Sequence, residues 1–116
     1  MKAVTIYHNP RCSKSRQTLA LLEERQVDPE IVLYLETPPD ESEIREILRK
    51  LGMQARDIIR TGETEYKELG LGNEALSETE LIEAIARAPK LLQRPVVVRG
   101  DQARIGRPPE SVLEIL

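Results

Sequence analysis

Cys12 is the residue whose type and surroundings point most directly to chemistry in this 116-residue chain. It is the only cysteine, and the polar segment around it carries Arg11, Lys14 and Arg16. Nearby cations and the unpaired amide groups of a helix N-terminus favour thiolate over thiol, and the same features attract anions. The segment therefore predicts a reactive thiol beside an anion site. The alternative is that a lone cysteine acts as a small buried hydrophobic residue.

Two further side chains lie at a spacing that could reach the thiol. His8, the only histidine, comes four residues before Cys12 and is either a cationic or hydrogen-bonding neighbour or a solvent-facing turn residue. Ser15 occupies the place of the second cysteine in a Cys-x-x-Cys motif, where a serine cannot resolve a mixed disulfide. It could instead cap the helix or hydrogen-bond the thiolate. If Cys12 does redox chemistry, its partner thiol must come from another molecule.

Three arginines differ in their context from the others. Arg60, Arg94 and Arg107 each close or follow a predicted element, and the last two directly precede Pro95 and Pro108. A guanidinium group binds a tetrahedral oxyanion through two parallel hydrogen bonds. Several of these groups beside a thiolate would hold an arsenate-like or phosphate-like substrate, whereas arginines inside predicted helices are expected to be solvated surface residues.

Composition excludes several other kinds of site. With 17 basic and 20 acidic side chains, the chain lacks the basic patch of a nucleic-acid-binding protein, and three aromatic residues give no stacking platform. One cysteine and one histidine cannot supply the ligands of a zinc site. No apolar run approaches the roughly 20 residues that span a bilayer. The first residues turn polar too soon for a signal peptide, so we expect a cytoplasmic protein without a membrane partner.

The elements that must position Cys12 are a strand, a helix and a second strand. Residues 3–7 form a β-rich run that stops at His8, and a helical pattern begins near Ser13. Residues 30–35 are typical of a second strand that follows closely after this helix. Cys12 therefore lies at a strand-to-helix turn, and the three elements predict a parallel crossover unit.

The middle of the chain is predicted to be helical. Asp40 as N-cap and Gly52 as a stop signal enclose apolar residues at the spacing of one helix face. Residues 54–60 and 64–69 favour two short helices, and a capping box beginning at Ser77 opens another helix. This block forms a helical insert between the crossover unit and the C-terminal elements.

The C-terminal part predicts a hairpin and a helix. Residues 96–99 and 102–105 flank a Gly-Asp turn, which is the pattern of a β-hairpin. A final helix is expected to carry Val112, Leu113 and Leu116 as its apolar positions.

The predicted element order is βαβ, a helical insert, then ββα. We find no repeat, low-complexity stretch or linker that would divide the chain. The sequence therefore predicts one α/β domain over residues 1–116, with the helical insert at about residues 40–90.

Four motifs, in order and at matching spacing, make the chain recognisable. They are residues 4–12, ending in His-Asn-Pro-Arg-Cys; residues 33–39, Leu-Tyr-Leu-Glu-Thr-Pro-Pro; residues 94–98, Arg-Pro-Val-Val-Val; and residues 106–108, Gly-Arg-Pro. Together they resemble the glutaredoxin-coupled arsenate reductases of the ArsC family, and within it the short YfgD-like branch. The likeness runs over nearly the whole chain.

The resemblance implies a thioredoxin-like, glutaredoxin-like α/β fold with a helical insertion and a mixed four-stranded sheet. Pro95 would be the cis proline that faces the active-site loop in that fold. Cys12 matches the family's nucleophile, and the family's three arsenate-binding arginines match Arg60, Arg94 and Arg107. His8 and Ser15 match residues that lower the thiol pKa and support the thiolate.

The resemblance also implies a mechanism and its partners. The Cys12 thiolate attacks arsenic(V) with loss of water, and glutathione then attacks the adduct. Glutaredoxin takes the glutathione as a mixed disulfide, and arsenite leaves. No bound cofactor is expected, since glutathione acts as a co-substrate and glutaredoxin as a protein partner.

Two other functions stay open at this point. A monothiol, glutathione-dependent thiol transferase would suit the single-thiol site around Cys12. A non-enzymatic regulator similar to Spx, which shares the fold and binds RNA polymerase, is the other alternative. Many Spx proteins sense oxidants through Cys-x-x-Cys, and Ser15 removes that switch here.

Overall fold

A mixed four-stranded sheet organises the part of the chain that carries Cys12. The structure is a computed structural model that describes residues 3–116. Its strands are β1 (Val4–Tyr7), β2 (Glu30–Val32), β3 (Val96–Arg99) and β4 (Gln102–Ile105). They lie in the order β2-β1-β3-β4, with β2 parallel to β1 and the other neighbours antiparallel. The predicted crossover unit, hairpin and mixed sheet are therefore confirmed.

The sheet belongs to a first unit, made of the described residues up to Thr37 together with Arg94–Leu116. Helix α1 (Ser13–Glu24) connects β1 to β2 and packs against a 3-10 helix over Pro109–Ile115. The core between sheet and helices consists of buried aliphatic side chains: Val4, Ile6, Leu22, Val97, Val112 and Ile115. Because α1 begins shortly after β1 ends, this core fixes both ends of the turn that contains Cys12.

The last element is a 3-10 helix, so the predicted final α-helix is wrong in type. Pro109 has no amide hydrogen to donate, and the backbone hydrogen bonds of this segment span three residues. With three residues per turn, Pro109, Val112 and Ile115 share one face, and all three are buried. The predicted apolar positions Leu113 and Leu116 are only partly buried.

The strand predicted over residues 30–35 ends early, at Val32. Its neighbour β1 ends at Tyr7, and the His8 N–H donates the last hydrogen bond across the pair, to the Val32 carbonyl at 2.9 Å. Within residues 3–116, no strand pairs with the chain beyond Val32, and the Leu33 carbonyl accepts two amides of a turn. The length of β2 is thus set by its partner rather than by its own β propensity.

The second unit, Pro38–Gln93, is helical. Its elements are α2 (Glu41–Leu51), α3 (Ala55–Ile58), α4 (Thr64–Glu68), α5 (Glu78–Arg87) and a 3-10 helix (Pro89–Leu91). The helical insertion predicted between the second and third strands is confirmed. That the two units form one domain stays a prediction. None of the helices in residues 3–116 is long and apolar enough to cross a bilayer.

The helix boundaries of the second unit follow local signals. The Asp40 carboxylate accepts the Glu43 N–H at 2.8 Å at the start of α2, and Gly52 ends that helix at a φ of +69°. Ser77 and Glu80 form a capping box at the start of α5. The caps predicted for both helices are confirmed, and α5 packs against α2 and α3.

Candidate active site

Cys12 lies at the N-terminal end of α1, in the turn that leaves β1. It is the N-cap residue, with extended backbone angles (φ −95°, ψ 123°), and its carbonyl accepts the Arg16 N–H at 3.0 Å. The first N–H groups of a helix have no partner within the helix, so the N-cap side chain is well placed to meet them. Here that side chain is a thiol, in a residue only 8% exposed.

The pKa of the Cys12 thiol is lowered from its ordinary value. Burial of the sulfur is the largest single influence and raises the pKa, but several stabilising groups together outweigh it. The backbone N–H groups of Ser15 and Lys14 stabilise the thiolate, and so does Arg94, through a hydrogen bond and through its positive charge. A lowered pKa raises the thiolate fraction at neutral pH, which is what a nucleophilic cysteine needs.

Two of the three predicted arginines lie at the sulfur. Arg107 Nη2 is 3.6 Å from Cys12 Sγ, and Arg107 Nε donates to the Arg94 carbonyl at 2.9 Å. Both arginines precede a cis peptide bond, Arg94–Pro95 and Arg107–Pro108. The first of these is the cis proline that the family resemblance implies. The thiol therefore has two guanidinium groups beside it that can take an oxyanion.

The strand register explains how the C-terminal residues reach the thiol. Tyr7 pairs with Val96 in the antiparallel β1–β3 ladder, so the residues after β1 and before β3 lie at one end of the sheet. Val96 also pairs with Ile105, and the Gly106 N–H donates to the Pro95 carbonyl at 2.9 Å. The register thus brings both Arg-Pro segments to the turn that holds the thiol.

Arg60 belongs to the second unit and follows α3. Its Nη1 donates to Gln93 Oε1 at 2.8 Å, and its Nε donates to Glu63 Oε2 at 3.3 Å. These contacts fix the guanidinium within that unit. The predicted convergence of Arg60 with the other two arginines on Cys12 stays a prediction.

The fully buried hydroxyl of Ser15 links His8 to the turn. Ser15 Oγ lies 2.7 Å from His8 Nδ1 and accepts the Asn9 N–H at 3.0 Å. The tautomer of the ring decides whether Nδ1 or the Ser15 hydroxyl is the donor in this hydrogen bond. The Ser15 hydroxyl therefore supports His8, while the Ser15 backbone N–H supports the thiolate of Cys12.

His8 is 6% exposed, so the alternative of a solvent-facing turn histidine is wrong. Burial lowers the pKa of His8, and the positive charge of Arg16 lowers it further. The ring is thus neutral at neutral pH. Of the remaining two roles, the structure favours a hydrogen-bonding neighbour over a cationic one.

Two residues of the turn have contacts that the sequence reasoning missed. Asn9 Oδ1 accepts the Arg11 N–H at 3.0 Å, and the Asn9 carbonyl accepts the Cys12 N–H at 3.0 Å. Arg16, counted from sequence only as a nearby cation, donates from Nη1 to the Pro10 carbonyl at 2.9 Å. The Asn-Pro pair is a sequence signal that could have found the first contact, because asparagine side chains commonly bond the amide two residues on.

The ArsC family profile matches residues 7–115. The chain belongs to the ArsC family. It is 59% identical to the protein YfgD of Escherichia coli K12, over 99% of this chain and 98% of that protein. It is 51% identical to the arsenate reductase of Haemophilus influenzae, over 98% of this chain and 99% of that protein. The resemblance that the four motifs carry is therefore confirmed.

Two solved structures show the same fold as this chain. The arsenate reductase from Vibrio cholerae matches with a TM-score of 0.96 at 52% identity, covering 99% of this chain and 98% of that one. A Yersinia pestis protein matches with a TM-score of 0.92 at 56% identity, covering 97% and 99%. The predicted thioredoxin-like fold is thus confirmed.

Gly106 in the Gly-Arg-Pro motif of this ArsC-family chain permits a close approach. A Cβ atom there would clash with Thr18 Oγ1 and would lie 2.8 Å from Pro95 Cγ. Any larger residue would push the start of the Arg107 segment away from Pro95 and α1. The motif alone gives no role to Gly106, whereas the packing against Thr18 and Pro95 does.

Open space lies on one side of the turn. A cavity of about 320 Å³ is lined by residues of the turn and of the segment after β2: His8, Asn9, Pro10, Arg11, Leu33, Leu35 and Glu36. Within residues 3–116, no three histidine, cysteine, aspartate or glutamate side chains gather into a metal site. The chemistry that this arrangement supports is thus that of a thiolate beside cations.

Proposed function

We propose that this ArsC-family protein is an arsenate reductase whose nucleophile is Cys12. The observation that carries the proposal is a thiol of lowered pKa that lies 3.6 Å from the Arg107 guanidinium. A thiolate beside cationic groups combines the nucleophile with the oxyanion binding that arsenate reduction needs. The arsenate reductase of Haemophilus influenzae, 51% identical over nearly the whole chain, supports the same reaction.

Three guanidinium groups form the oxyanion site in this proposal. Arg94 and Arg107 are already beside Cys12. Arg60, which is held by Gln93 and Glu63, supplies the third group. Their positive charges offset the repulsion between a thiolate and an anionic substrate, and their planar forks match the oxygen spacing of a tetrahedral oxyanion.

The first step is attack of the Cys12 thiolate on arsenic(V). A sulfur–arsenic bond forms, an arsenic–oxygen bond breaks, and the leaving oxygen takes up protons and departs as water. Because the amides of Ser15 and Lys14 and the Arg94 guanidinium stabilise the thiolate, they lower the thiol pKa and raise the fraction of Cys12 that can attack. His8 and Ser15 act as supporting residues that hold the turn, and cis Pro95 places Arg94.

The electrons come from two thiols outside the chain. Glutathione, as co-substrate, displaces a second oxygen and forms another sulfur–arsenic bond. The glutaredoxin thiolate then attacks the glutathione sulfur to form a mixed disulfide, and the electron pair of the broken sulfur–arsenic bond reduces arsenic(V) to arsenic(III). Water releases arsenite and restores Cys12. The chain has one cysteine, so it cannot supply the resolving thiol itself.

The thiols used in this reaction also indicate the compartment in which the protein acts. A reduced thiol at position 12 and a glutathione co-substrate both require a reducing environment. We therefore place the protein in the cytoplasm, acting without a bound cofactor and without nucleic acid or membrane partners.

The experiment is an assay of arsenate-dependent NADPH oxidation with glutathione, glutaredoxin and glutathione reductase. Wild type is compared with Cys12→Ser, Arg107→Ala and the matched control Arg104→Ala. Arg104 lies in the same unit, but its guanidinium bonds Glu114 and the Ala103 carbonyl. We expect turnover to vanish in the first variant, to fall sharply in the second and to persist in the control.

Further assays of the same wild-type protein separate arsenate reduction from the two alternative functions. Absence of arsenate turnover in the wild type would contradict the proposal. Turnover of a glutathionylated substrate by that same preparation would identify a thiol transferase, and retention on immobilised RNA polymerase would identify an Spx-like regulator.

A further inference from the structure

Asn9 closes the turn before Cys12 with its backbone N–H, its backbone carbonyl and its side-chain oxygen. Its N–H donates to Ser15 Oγ at 3.0 Å, and its carbonyl accepts the Cys12 N–H at 3.0 Å. Its side-chain Oδ1 accepts the Arg11 N–H, also at 3.0 Å. Asn9 is 8% exposed, so these bonds are largely shielded from competing water.

The side-chain bond is the one that depends on residue type. Any residue at position 9 could keep the two backbone bonds, but only a short side chain with an acceptor can hold the Arg11 N–H two residues on. Without that acceptor the Pro10–Arg11 peptide plane loses the hydrogen bond to its N–H and can tilt. Arg11 directly precedes Cys12, so rotation there changes the direction in which the cysteine side chain leaves the backbone.

We infer that Asn9 is a positioning residue for the nucleophile: its carboxamide fixes the Arg11 peptide so that the Cys12 sulfur stays against the first amides of α1. The inference rests on the proposed function for its importance in arsenate reduction. The position of the sulfur itself is measurable through the thiol, without arsenate.

A second contact closes the turn from the helix side. Arg16 Nη1 donates to the Pro10 carbonyl at 2.9 Å, and the Arg16 N–H donates to the Cys12 carbonyl at 3.0 Å. The peptide that joins Pro10 to Arg11 is thus held at its carbonyl by Arg16 and at its N–H by the Asn9 side chain. Loss of the Asn9 acceptor should therefore loosen the turn locally and leave α1 in place.

The experiment measures the Cys12 thiol in Asn9→Ala and Asn9→Asp. Thiolate absorbance is followed against pH, and the rate of alkylation by iodoacetamide is measured at neutral pH. Asn73→Leu is the matched control, because Asn73 Oδ1 accepts the Ala75 N–H at 2.9 Å in the same two-residue pattern within the second unit. Thermal unfolding of each variant shows whether it is folded.

We expect Asn9→Ala to alkylate about fivefold more slowly than wild type at neutral pH, with its thiolate titration displaced to higher pH. Asn9→Asp keeps an acceptor for the Arg11 N–H but adds a negative charge. Its alkylation rate should therefore be reduced at low salt and return to within about twofold of wild type at high salt. Asn73→Leu should alkylate like wild type.

A folded Asn9→Ala variant with the wild-type alkylation rate and titration would overturn the inference. If that variant does not fold, hydrogen exchange of the Arg11 amide in the wild type decides. Exchange as slow as that of the Arg16 amide, which is bonded to the Cys12 carbonyl, supports a held peptide, and exchange at the rate of a free amide overturns it. A wild type without arsenate turnover would refute the proposed function and leave this result standing.

Discussion

Two segments meet at Cys12 and differ in where their polar groups point. In the thiol loop, residues 8–16, the side chains of Asn9 and Ser15 bond other atoms of the same loop. In the arginine segment, residues 94–107, the guanidinium of Arg107 faces the sulfur, and that of Arg94 stabilises the thiolate. The polar side chains of the first segment are bonded within the loop, whereas the second segment also directs a guanidinium at the sulfur.

The difference divides the work of the site. The thiol loop sets where the sulfur lies and stabilises the thiolate through the backbone N–H groups of Ser15 and Lys14. The arginine segment supplies positive charge that substitutions can remove. Changes in the loop should therefore act through the ionisation of the thiol, whereas loss of an arginine should lower oxyanion affinity and, for Arg94, thiol ionisation as well.

The largest expected effect is that of Cys12→Ser, which removes the thiol at which the two segments meet. A serine hydroxyl stays protonated at neutral pH and is a poor nucleophile, so arsenate turnover should fall to the rate without protein. The coupled NADPH assay measures this loss. Turnover above that background in a folded Cys12→Ser protein would mean that another group carries the reaction.

Arg107→Ala tests the arginine segment alone. Loss of a charge-assisted hydrogen bond should lower kcat/KM for arsenate by about 10- to 100-fold, chiefly through KM. Arg104→Ala, which removes a guanidinium that bonds Glu114, is the control and should behave like wild type. Equal losses in both variants would show that the segment responds to any lost arginine rather than to the one at the sulfur.

Gly106→Ala tests the packing that joins the arginine segment to α1. The added methyl group would meet Thr18 Oγ1 and Pro95 Cγ, so the free energy of unfolding should fall by about 1–3 kcal/mol in urea titrations. Gly62→Ala is the control, because no atom lies within 4 Å of a Cβ built there. A Gly106→Ala protein as stable as wild type would show that the arginine segment can shift to accommodate the methyl group without a loss of unfolding free energy.

The smallest expected effect concerns the pH dependence of stability set by the thiol loop. The pKa of His8 is lowered in the folded protein from 6.5, so below that pH the unfolded chain binds the proton more readily. This part of the stability is complete above pH 6.5 and is lost as the pH falls toward the folded-state pKa. Urea unfolding of wild type and His8→Gln between neutral and mildly acidic pH measures it, and identical slopes would contradict the assignment of a neutral His8.

Local signals in the sequence were enough to predict the ends of two helices, α2 and α5. Asp40 with Gly52, and Ser77 with Glu80, mark α2 and α5 because caps act on the nearest backbone groups. The early end of β2 depends instead on where β1 ends. The 3-10 character of the last helix depends on proline and on a three-residue burial pattern that the 3.6-residue period did not fit.

At the site, too, features set by neighbouring residues could be predicted, and features set by strand pairing could not. The electropositive surroundings of Cys12 are visible in residues 11–16, because they lie along the chain. The approach of Arg107 to the sulfur is not, since it depends on the pairing of Tyr7 with Val96 and of Val96 with Ile105. The family resemblance supplied what one-dimensional spacing lacked.

The central claim is that the thiol loop and the arginine segment together hold an oxyanion at the Cys12 thiolate. Arsenate protection of Cys12 against iodoacetamide tests it most directly, with Arg107→Ala and Arg104→Ala measured alongside. We predict that arsenate slows alkylation of the wild type and of Arg104→Ala in a saturable manner, and that Arg107→Ala loses this protection. Alkylation of the wild type at a rate that arsenate does not change would contradict the claim.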